Sequence, residues 1–191
     1  LRELKNLKWL CLMTLRGQSN LTDASLKELK HLNSLTTLFL CEGNVTDAGL
    51  RELQELKHLN RLSLRDTRVT DAGMKELKAI KTLAALDLSD TRVTDVGLKD
   101  VGDMKALTSL RLTRTAVGNA GMKELGRLQN LTWLALAETQ VTSPGVKELK
   151  ALPNLTTLDL SGISVVAEAV MELKVLSKLK SLSLYSDDFS E

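Results

Sequence analysis

A leucine pattern that recurs every 24 residues constrains this chain more than any other feature of its sequence. Residues 59–80 read LNRLSLRDTRVTDAGMKELKAI: the leucines at the first, fourth and sixth positions predict a short strand, and TDAGMKEL predicts a helix. From the second unit onward, the strand patterns begin at Leu35, Leu59, Leu83, Leu107, Leu131, Leu155 and Leu179. A fixed period of this length is typical of a solenoid, in which each unit buries its apolar face against its neighbours.

The first unit has two possible registers. A strand that starts at Leu7 fits the leucine pattern, and a strand that starts at Leu10 nearly fits it. We favour Leu10, because a step of 25 residues carries it onto Leu35 and the one extra residue then falls in a turn at residues 17–20, where an insertion costs little. This register predicts that the outward-pointing residues of the first strand are Leu12, Thr14 and Arg16.

Helix starts recur with the same period. They are predicted near Thr22, Thr46, Thr70, Thr94, Gly118, Thr142 and Val166. A threonine at the N-cap accepts a hydrogen bond from a free backbone N–H, and the aspartate that follows it places a negative charge at the positive end of the helix dipole. A glycine also recurs in the first helical turn, as at Gly73 and Gly97, although glycine destabilises a helix there. We therefore predict a close backbone approach between stacked units at these glycines.

Composition bounds the class of protein. The chain has 191 residues, a net charge of +2, 43% hydrophobic residues and only 3% aromatic residues, which predicts one domain, residues 1–191, with an aliphatic core. The pattern gives about seven to eight repeats and is already under way at Leu1, so we expect a fragment of a longer chain. Basic residues alternate with acidic ones, which argues against a nucleic-acid partner, and no apolar run is long enough for membrane insertion. Cys11 and Cys41 are predicted to be free thiols, because they occupy different heights on neighbouring strands.

Catalytic and metal-binding signals are missing from the pattern. His31 and His58 are out of register with the repeat, and no serine or cysteine nucleophile is placed beside them. Two isolated histidines lack the clustering of a metal site, and the glycines mostly recur with the repeat instead of forming a phosphate-binding loop. The prediction is a protein that is not an enzyme and that uses no cofactor and no metal.

The pattern LxxLxLxxTxV followed by TDxGLKEL resembles the leucine-rich repeat family. The resemblance implies an α/β fold: a right-handed, horseshoe-shaped solenoid with a parallel sheet on its concave face and helices on its convex face. The family usually carries asparagine at the ninth position, where it bonds the backbone along an interior ladder. Here that position holds Gly43, Thr67, Thr91, Thr115, Thr139 and Ile163; threonine can make some of those bonds and Ile163 cannot. The 24-residue form with threonine is similar to repeats of large bacterial proteins, notably those of planctomycetes, and TDxGLxxL is similar to the cysteine-containing repeats of ubiquitin-ligase substrate receptors.

Candidate binding residues lie between the strand leucines, because alternate residues of a strand point to opposite faces. Trp133 projects where the pattern needs no apolar residue, and Arg61, Arg65 and Arg111 are predicted to surround Asp87. Exposed tryptophan and arginine are the residues most often found as binding hot spots. The predicted partner-binding set is Phe39, Arg61, Arg65, Asp87, Arg111, Trp133 and Asp159. An alternative interpretation is that arginine and aspartate merely neutralise the sheet face and that Trp133 packs on arginine stems.

Three functions remain open at this point. By resemblance, most leucine-rich repeats bind proteins on the concave sheet, so the leading hypothesis is a non-catalytic recognition module with a protein partner. The second is a structural spacer, or a solenoid that associates end to end with copies of itself. The third is the substrate-receptor arm of a ubiquitin-ligase-like assembly. The sequence does not indicate a cellular compartment.

Overall fold

A single parallel sheet runs through the computed structural model, which describes residues 4–13 and 21–185. Its eight strands pair in chain order, and every pair is parallel. The strands are β1 Trp9–Met13, β2 Thr37–Cys41, β3 Arg61–Ser63, β4 Ala85–Asp87, β5 Ser109–Arg111, β6 Trp133–Ala135, β7 Thr157–Asp159 and β8 Ser181–Ser183. From β2 onward, equivalent positions of successive repeats pair directly, as Leu62 does with Leu86. The 24-residue period therefore sets the register of the sheet.

Each of the first seven strands is followed by a short helix on the opposite side of the unit. The helices are α1 Asp23–Leu26, α2 Asp47–Leu50, α3 Asp71–Lys78, α4 Asp95–Val101, α5 Asn119–Leu125, α6 Ser143–Glu148 and α7 Ala167–Met171. Four of these continue into 3-10 turns at Lys27–His31, Arg51–Glu55, Leu149–Ala151 and Glu172–Val175. The predicted α/β solenoid is confirmed: the sheet forms the concave face and the helices form the convex face.

The core lies between the sheet and the helices and is almost entirely aliphatic. Strand leucines such as Leu62 and Leu64 are buried, and Met74 and Leu77 of α3 meet them from the other side. All of these residues belong to one continuous cluster that extends from Leu21 to Leu176. The burial of apolar surface is the main stabilising contribution in such a stack, and each Å² buried contributes about 25 cal/mol. The low aromatic content is therefore no obstacle to a closed core.

The predicted register of the first strand is wrong. Leu10 pairs with Leu38 and Leu12 pairs with Leu40, so the step to the second unit is 28 residues, and the strand follows the pattern that begins at Leu7. The outward-pointing residues of β1 are therefore Trp9, Cys11 and Met13 instead of Leu12, Thr14 and Arg16. The four additional residues fall between β1 and Thr22, and the turn predicted at 17–20 lies outside the described residues. Sequence spacing alone could not locate an insertion of this length.

The two cysteines are free thiols, as predicted. Cys11 lies opposite Phe39 and Cys41 lies opposite Met13, so the two sulfur-bearing residues are offset by two positions on neighbouring strands. Burial raises the pKa of the Cys41 thiol, and its contact with Ser63 Oγ at 3.7 Å only partly opposes that effect.

The helix starts carry a hydrogen-bonded connection between units. As predicted, Thr70 Oγ1 caps its own helix by accepting a bond from Ala72 N at 3.3 Å. In addition, Thr70 donates its backbone N–H to Asp47 Oδ1 at 2.8 Å and its hydroxyl to Asp47 Oδ2 at 2.6 Å. We call this pair of bonds the Asp–Thr bridge; it also joins Asp23 to Thr46 and Asp71 to Thr94. The aspartates thus link each repeat to the next, besides lying in the first turn of a helix.

The recurrent glycines make room for these bridges. A Cβ atom on Gly73 would lie 2.5 Å from Asp47 Oδ1, and one on Gly97 would lie 2.5 Å from Asp71 Oδ1. The predicted close approach between units is present, but the atom that approaches first is a carboxylate oxygen instead of the backbone. Any larger residue at these positions would displace the bridge.

The ninth-position threonines bond within their own repeats. The hydroxyls of Thr67 and Thr91 each donate to the carbonyl oxygen three residues earlier, at 2.6 Å, and those of Thr115 and Thr139 do the same at 2.7 Å. These bonds satisfy buried hydroxyls and close the turn after each strand, but they do not form a ladder between units. Ile163 has no hydroxyl for this bond and is buried in the core.

Candidate functional site

A shallow cavity of about 200 Å³ occupies the concave face. Its walls are Phe39, Arg61, Asp87, Arg111 and Trp133, which we call the concave patch. The small residues Ser63, Ala85 and Ser109 line the space between them. Successive strands place these side chains on one surface because the leucines between them point into the core. Five of the seven residues predicted for partner binding therefore lie together.

Arg111 and Trp133 form one wall of the cavity. The guanidinium carbon of Arg111 lies 4.9 Å from the centre of the Trp133 ring, a distance at which a cation and the ring face attract each other. Arg111 Nη1 is also 3.6 Å from Asp87 Oδ2 on the neighbouring strand, as the sequence predicts for residues paired across β4 and β5. These two contacts restrain the side chains of Arg111 and Trp133.

Asp87 has donors at both of its oxygens. Its Oδ1 accepts bonds from the Ser89 backbone N–H at 3.0 Å and from Ser89 Oγ at 2.7 Å. Its Oδ2 faces Arg111 and accepts a longer bond from Ser63 Oγ at 3.4 Å. The negative charge of the concave patch is therefore already compensated within the protein.

The other two predicted arginines differ from Arg111. Arg61 is exposed, and it forms no ion pair or side-chain hydrogen bond with any residue in the described part of the chain. Arg65 lies just after the end of β3, and its Nε is 3.3 Å from Asp90 Oδ2 at the rim of the sheet. Arg65 is thus directed to the rim and is absent from the cavity lining, and Arg61 is the unpaired cation of the concave patch.

Asp159 lies outside the cavity, on β7. Its Oδ1 accepts bonds from the Ser161 N–H at 3.0 Å and from Ser161 Oγ at 2.6 Å. Its direct neighbours in the sheet are Ala135 and Ser183, neither of which is charged. Within residues 4–13 and 21–185, Asp159 has no cation in ion-pair contact.

Trp9 is a concave residue that the sequence reasoning missed. It is 56% exposed, and its ring meets the ring of Phe39 edge-on, with centres 6.0 Å apart and an angle of 75° between the planes. Met13, four residues further along β1, is 65% exposed. The wrong register of the first strand hid both residues, although the leucine pattern that begins at Leu7 could have found them. The aromatic surface therefore extends from Phe39 to the first strand.

The sequence matches the leucine-rich repeat region family over positions 39–191, which is most of the chain. This chain belongs to the leucine-rich repeat family. Its membership supports the prediction of a non-catalytic protein-interaction module. A comparison with curated protein sequences finds no match.

Two solved leucine-rich repeat structures from Listeria monocytogenes strain 4b F2365 have similar folds. An internalin C2 superposes with a TM-score of 0.67 at 21% identity, over 88% of this chain and 78% of the other. An internalin (inlF) superposes with a TM-score of 0.55 at 20% identity, over 100% of this chain and 63% of the other. At these identities the likeness shows a shared fold.

A larger cavity, of about 550 Å³, lies at the rim where the strands of the leucine-rich repeats end. Its charged lining residues are Glu42, Asp66, Arg68, Asp90 and Arg92. Asp90 is paired: Arg114 donates to its two oxygens at 2.6 and 2.8 Å, and Arg65 lies 3.3 Å away. The hydrogen bond to Asp90 is the main cause of the raised pKa of Arg114. Acidic and basic side chains alternate here, so the rim offers no single charge to a ligand.

In the described ranges 4–13 and 21–185, no group of three or more histidine, cysteine, aspartate or glutamate residues could hold a metal ion. No helix of that part of the chain is long and apolar enough to span a bilayer.

Proposed function

We propose that this leucine-rich repeat domain recognises a partner protein on its concave sheet, through Trp133, Arg111 and Arg61, with Phe39 at the edge. The observation that carries the proposal is the concave patch: an arginine held on a tryptophan ring, facing across a cavity of about 200 Å³ an arginine that forms no ion pair with any described residue. Side chains that are fixed in advance lose little conformational entropy on binding.

The alternative interpretation, that arginine and aspartate merely neutralise each other on the sheet face, explains only some of the contacts in and around the concave patch. The contact between Arg111 and Asp87 fits that interpretation, and so does the contact between Arg65 and Asp90. Arg61 has no acidic residue directly opposite it in the sheet, since it pairs with Thr37 and Ala85. The exposed ring of Trp9 beside Phe39 is not explained by neutralisation either. A protein surface that is both aromatic and uncompensated in charge favours binding over passive solvation.

We also propose the bounds of the domain and the kind of organism it comes from. The similar folds come from a bacterium, and the 24-residue repeats resemble those of bacterial proteins, so we place residues 1–191 in one domain of a bacterial protein. The uninterrupted eight-strand sheet supports a single domain.

The direct test is affinity capture from a lysate of the source organism. The Arg61→Glu/Trp133→Ala variant is compared with the wild-type domain and with a convex-face control, Val96→Ala/Lys99→Glu. Both control residues are exposed on α4, and the control removes one apolar side chain and reverses one charge, like the test variant. We expect a protein captured by the wild type and the control to be lost with the test variant. Identical captures from all three proteins would reject the concave patch as the binding surface.

Self-association is a second candidate function, favoured by a different observation. In the last described units, Val166, Met171 and Val175 are apolar and 56%, 70% and 56% exposed, respectively. A self-associating domain would show a mass that rises with concentration in sedimentation equilibrium and that falls to the monomer mass with Met171→Glu. A monomer at all concentrations would reject this function and leave the concave-sheet proposal intact.

A further inference from the structure

We propose that the concave sheet selects a bipolar segment of its partner, with an acidic side chain at Arg61, an apolar side chain against Trp133 and a basic side chain at Asp159. The inference rests on the proposed function, because it specifies the chemistry of the segment that the concave sheet would bind. It uses Asp159, which lies outside the cavity, and it assigns opposite charges to the two ends of the bound segment.

The positive end is set by Arg61. This side chain is exposed on β3, and its sheet neighbours Thr37 and Ala85 carry no charge. Asp87, the acidic residue of the same cavity, is occupied by Ser89 and Arg111. A carboxylate from a partner would therefore be the first counter-ion of Arg61, and guanidinium groups bind carboxylates with two parallel hydrogen bonds.

The negative end is set by Asp159, and a comparison with Asp87, the matching carboxylate of another repeat, supports this assignment. Asp87 and Asp159 occur in the same Asp-Leu-Ser sequence, and each accepts bonds from the backbone N–H and the hydroxyl of the serine two residues later. The difference is on the adjoining strands: Asp87 has Arg111 beside it, whereas Asp159 lies between Ala135 and Ser183. The repeat thus builds the same carboxylate twice but supplies a cation for only one of them. Asp159 is the carboxylate left for a partner's cation.

The path between the two charges is open. Between Arg61 on β3 and Trp133 on β6, the same row of the sheet carries the small residues Ala85 and Ser109. Neighbouring strands are about 4.8 Å apart, so the four steps from β3 to β7 span about 19 Å. An extended peptide rises about 3.3 Å per residue and would cover that span with about six residues. The bound segment would cross the strands, and its apolar side chain would lie nearer to its basic end.

Arg111 does not remove this polarity. Its guanidinium lies over the Trp133 ring and faces Asp87, so its charge is shared with two groups of the protein itself. Complementary charges at the two ends contribute mainly to specificity, because a segment bound in the reverse direction would face like charges at both positions.

The test is selection from a display library of random 12-residue peptides. The baits are the wild-type domain, Arg61→Glu, Asp159→Lys, Trp133→Ala and the convex control Lys99→Glu. We expect the wild type and the control to enrich peptides with an acidic and a basic residue about six positions apart and an aromatic or aliphatic residue between them. Arg61→Glu should replace the preferred acidic residue by a basic one, and Asp159→Lys should replace the basic residue by an acidic one. The best wild-type peptide should bind each charge-reversed variant at least tenfold more weakly.

Three results would overturn the inference. Peptides that depend on Trp133 but show no paired charges, or whose charges do not follow the two reversals, would reject the bipolar segment and leave the concave patch as the binding surface. Enriched peptides that bind all five baits equally would contradict both this inference and the proposed function. If the wild type enriches no peptide above the level of Trp133→Ala, the inference is rejected, while lysate capture still decides the proposed function.

Discussion

Two rows of residues recur with the 24-residue period: the Asp–Thr bridges, and the residues at the third position of each repeat on the concave face. The first row repeats its residues, whereas the second row changes them. Along the bridge row the residues repeat: Asp23, Asp47, Asp71 and Asp95 occupy equivalent positions. Along the concave row they change at every step, through Trp9, Thr37, Arg61, Ala85, Ser109, Trp133, Thr157 and Ser181. The bridges join one unit to the next, whereas no hydrogen bond between the described units depends on the charge or size of these concave side chains. The concave row is therefore free to carry recognition, and the bridge row carries stability.

The bridge row itself changes after Thr94. At the fifth unit Gly118 replaces threonine, and Asp95 keeps only the bond from the Gly118 N–H, at 2.7 Å. Asn119 then replaces aspartate and donates to Thr142 Oγ1 at 2.8 Å, while its own Oδ1 accepts the Thr142 N–H at 2.9 Å. At the last bridge, Ser143 Oγ accepts a single bond, from Val166 N at 3.0 Å. The bonding between units thus falls at Gly118 and at Val166, whereas Asn119 keeps both bonds to Thr142 and accepts a third from the Gly145 N–H at 3.0 Å.

Removing one intact bridge should have the largest effect. Asp71→Ala deletes the acceptor of three donors: the Thr94 N–H at 2.7 Å, the Thr94 hydroxyl at 2.8 Å and the Gly97 N–H at 3.0 Å. We expect the free energy of unfolding to fall by about 2–4 kcal/mol, since hydrogen bonds to charged groups contribute about 1.5–3 kcal/mol each and the partners remain part-buried. Urea denaturation measures the change. The exposed Glu55→Ala should change it by less than about 0.5 kcal/mol, and equal effects of the two variants would contradict the role of the bridge.

Removing the concave tryptophan should produce the opposite pattern. Trp133→Ala breaks no hydrogen bond between repeats and removes only the contact with Arg111, so we expect it to change stability by no more than about 1 kcal/mol, while partner affinity falls by about 2 kcal/mol, or roughly 30-fold. Titration of the captured partner against wild-type and variant domains gives the affinity, and urea denaturation gives the stability. A variant that loses stability but keeps its affinity would place Trp133 in the fold instead of the interface.

Restoring the incomplete bridge should stabilise the protein. In Gly118→Thr, a Cβ atom would make ordinary contacts, the nearest at 3.4 Å from Asp95 Oδ2, and the backbone φ of −127° suits any residue. The new hydroxyl could donate to Asp95 and cap α5, so we expect a gain of about 0.5–1.5 kcal/mol. Gly118→Ala is the control, because alanine removes the flexibility of glycine without adding a hydroxyl that could form the hydrogen bond. A gain with alanine as large as the gain with threonine would show that the missing bridge is not the cause.

A pH-dependent effect on the convex side should be the smallest. The hydrogen bond from Lys78 to Asp100, at 2.5 Å, is the main cause of the raised pKa of Lys78 in the folded protein. A lysine with a raised folded pKa stabilises the protein below its unfolded pKa, about 10.4, and that contribution is lost as the pH rises through the folded value. The stability difference between the wild type and Lys78→Met should therefore be present at pH 8 and shrink above pH 10.5. A difference that stays constant over this range would contradict the ionic origin.

Much of the fold follows from sequence periodicity, because identical units must stack in identical register. The strands from Thr37 onward and the helix starts near Thr46 and Thr70 were predictable for this reason. The first strand was not, since four additional residues separate it from Thr22 and two leucine frames compete. The bridge was also beyond sequence reasoning: an aspartate in the first turn suggests a dipole interaction, and only the stacking geometry reveals its partner in the next unit.

The concave site was predictable in part. The neighbourhood of Asp87 and Arg111 follows from direct strand pairing, and Trp133 was visible as an apolar residue outside the pattern. The contact of Arg65 with Asp90 depends on how the chain turns at the rim, which the leucine pattern does not encode. Trp9 was missed solely because of the frame chosen for the first strand.

The most direct test of the division between the two rows is partner capture at an equal concentration of folded protein, for Arg61→Glu/Trp133→Ala and for Asp71→Ala. We predict that the concave variant keeps its free energy of unfolding within about 1 kcal/mol of the wild type but loses the partner, whereas the bridge variant is destabilised and still captures it. If the folded bridge variant loses the partner, or if the concave variant retains it, recognition does not reside in the residues that vary along the concave sheet.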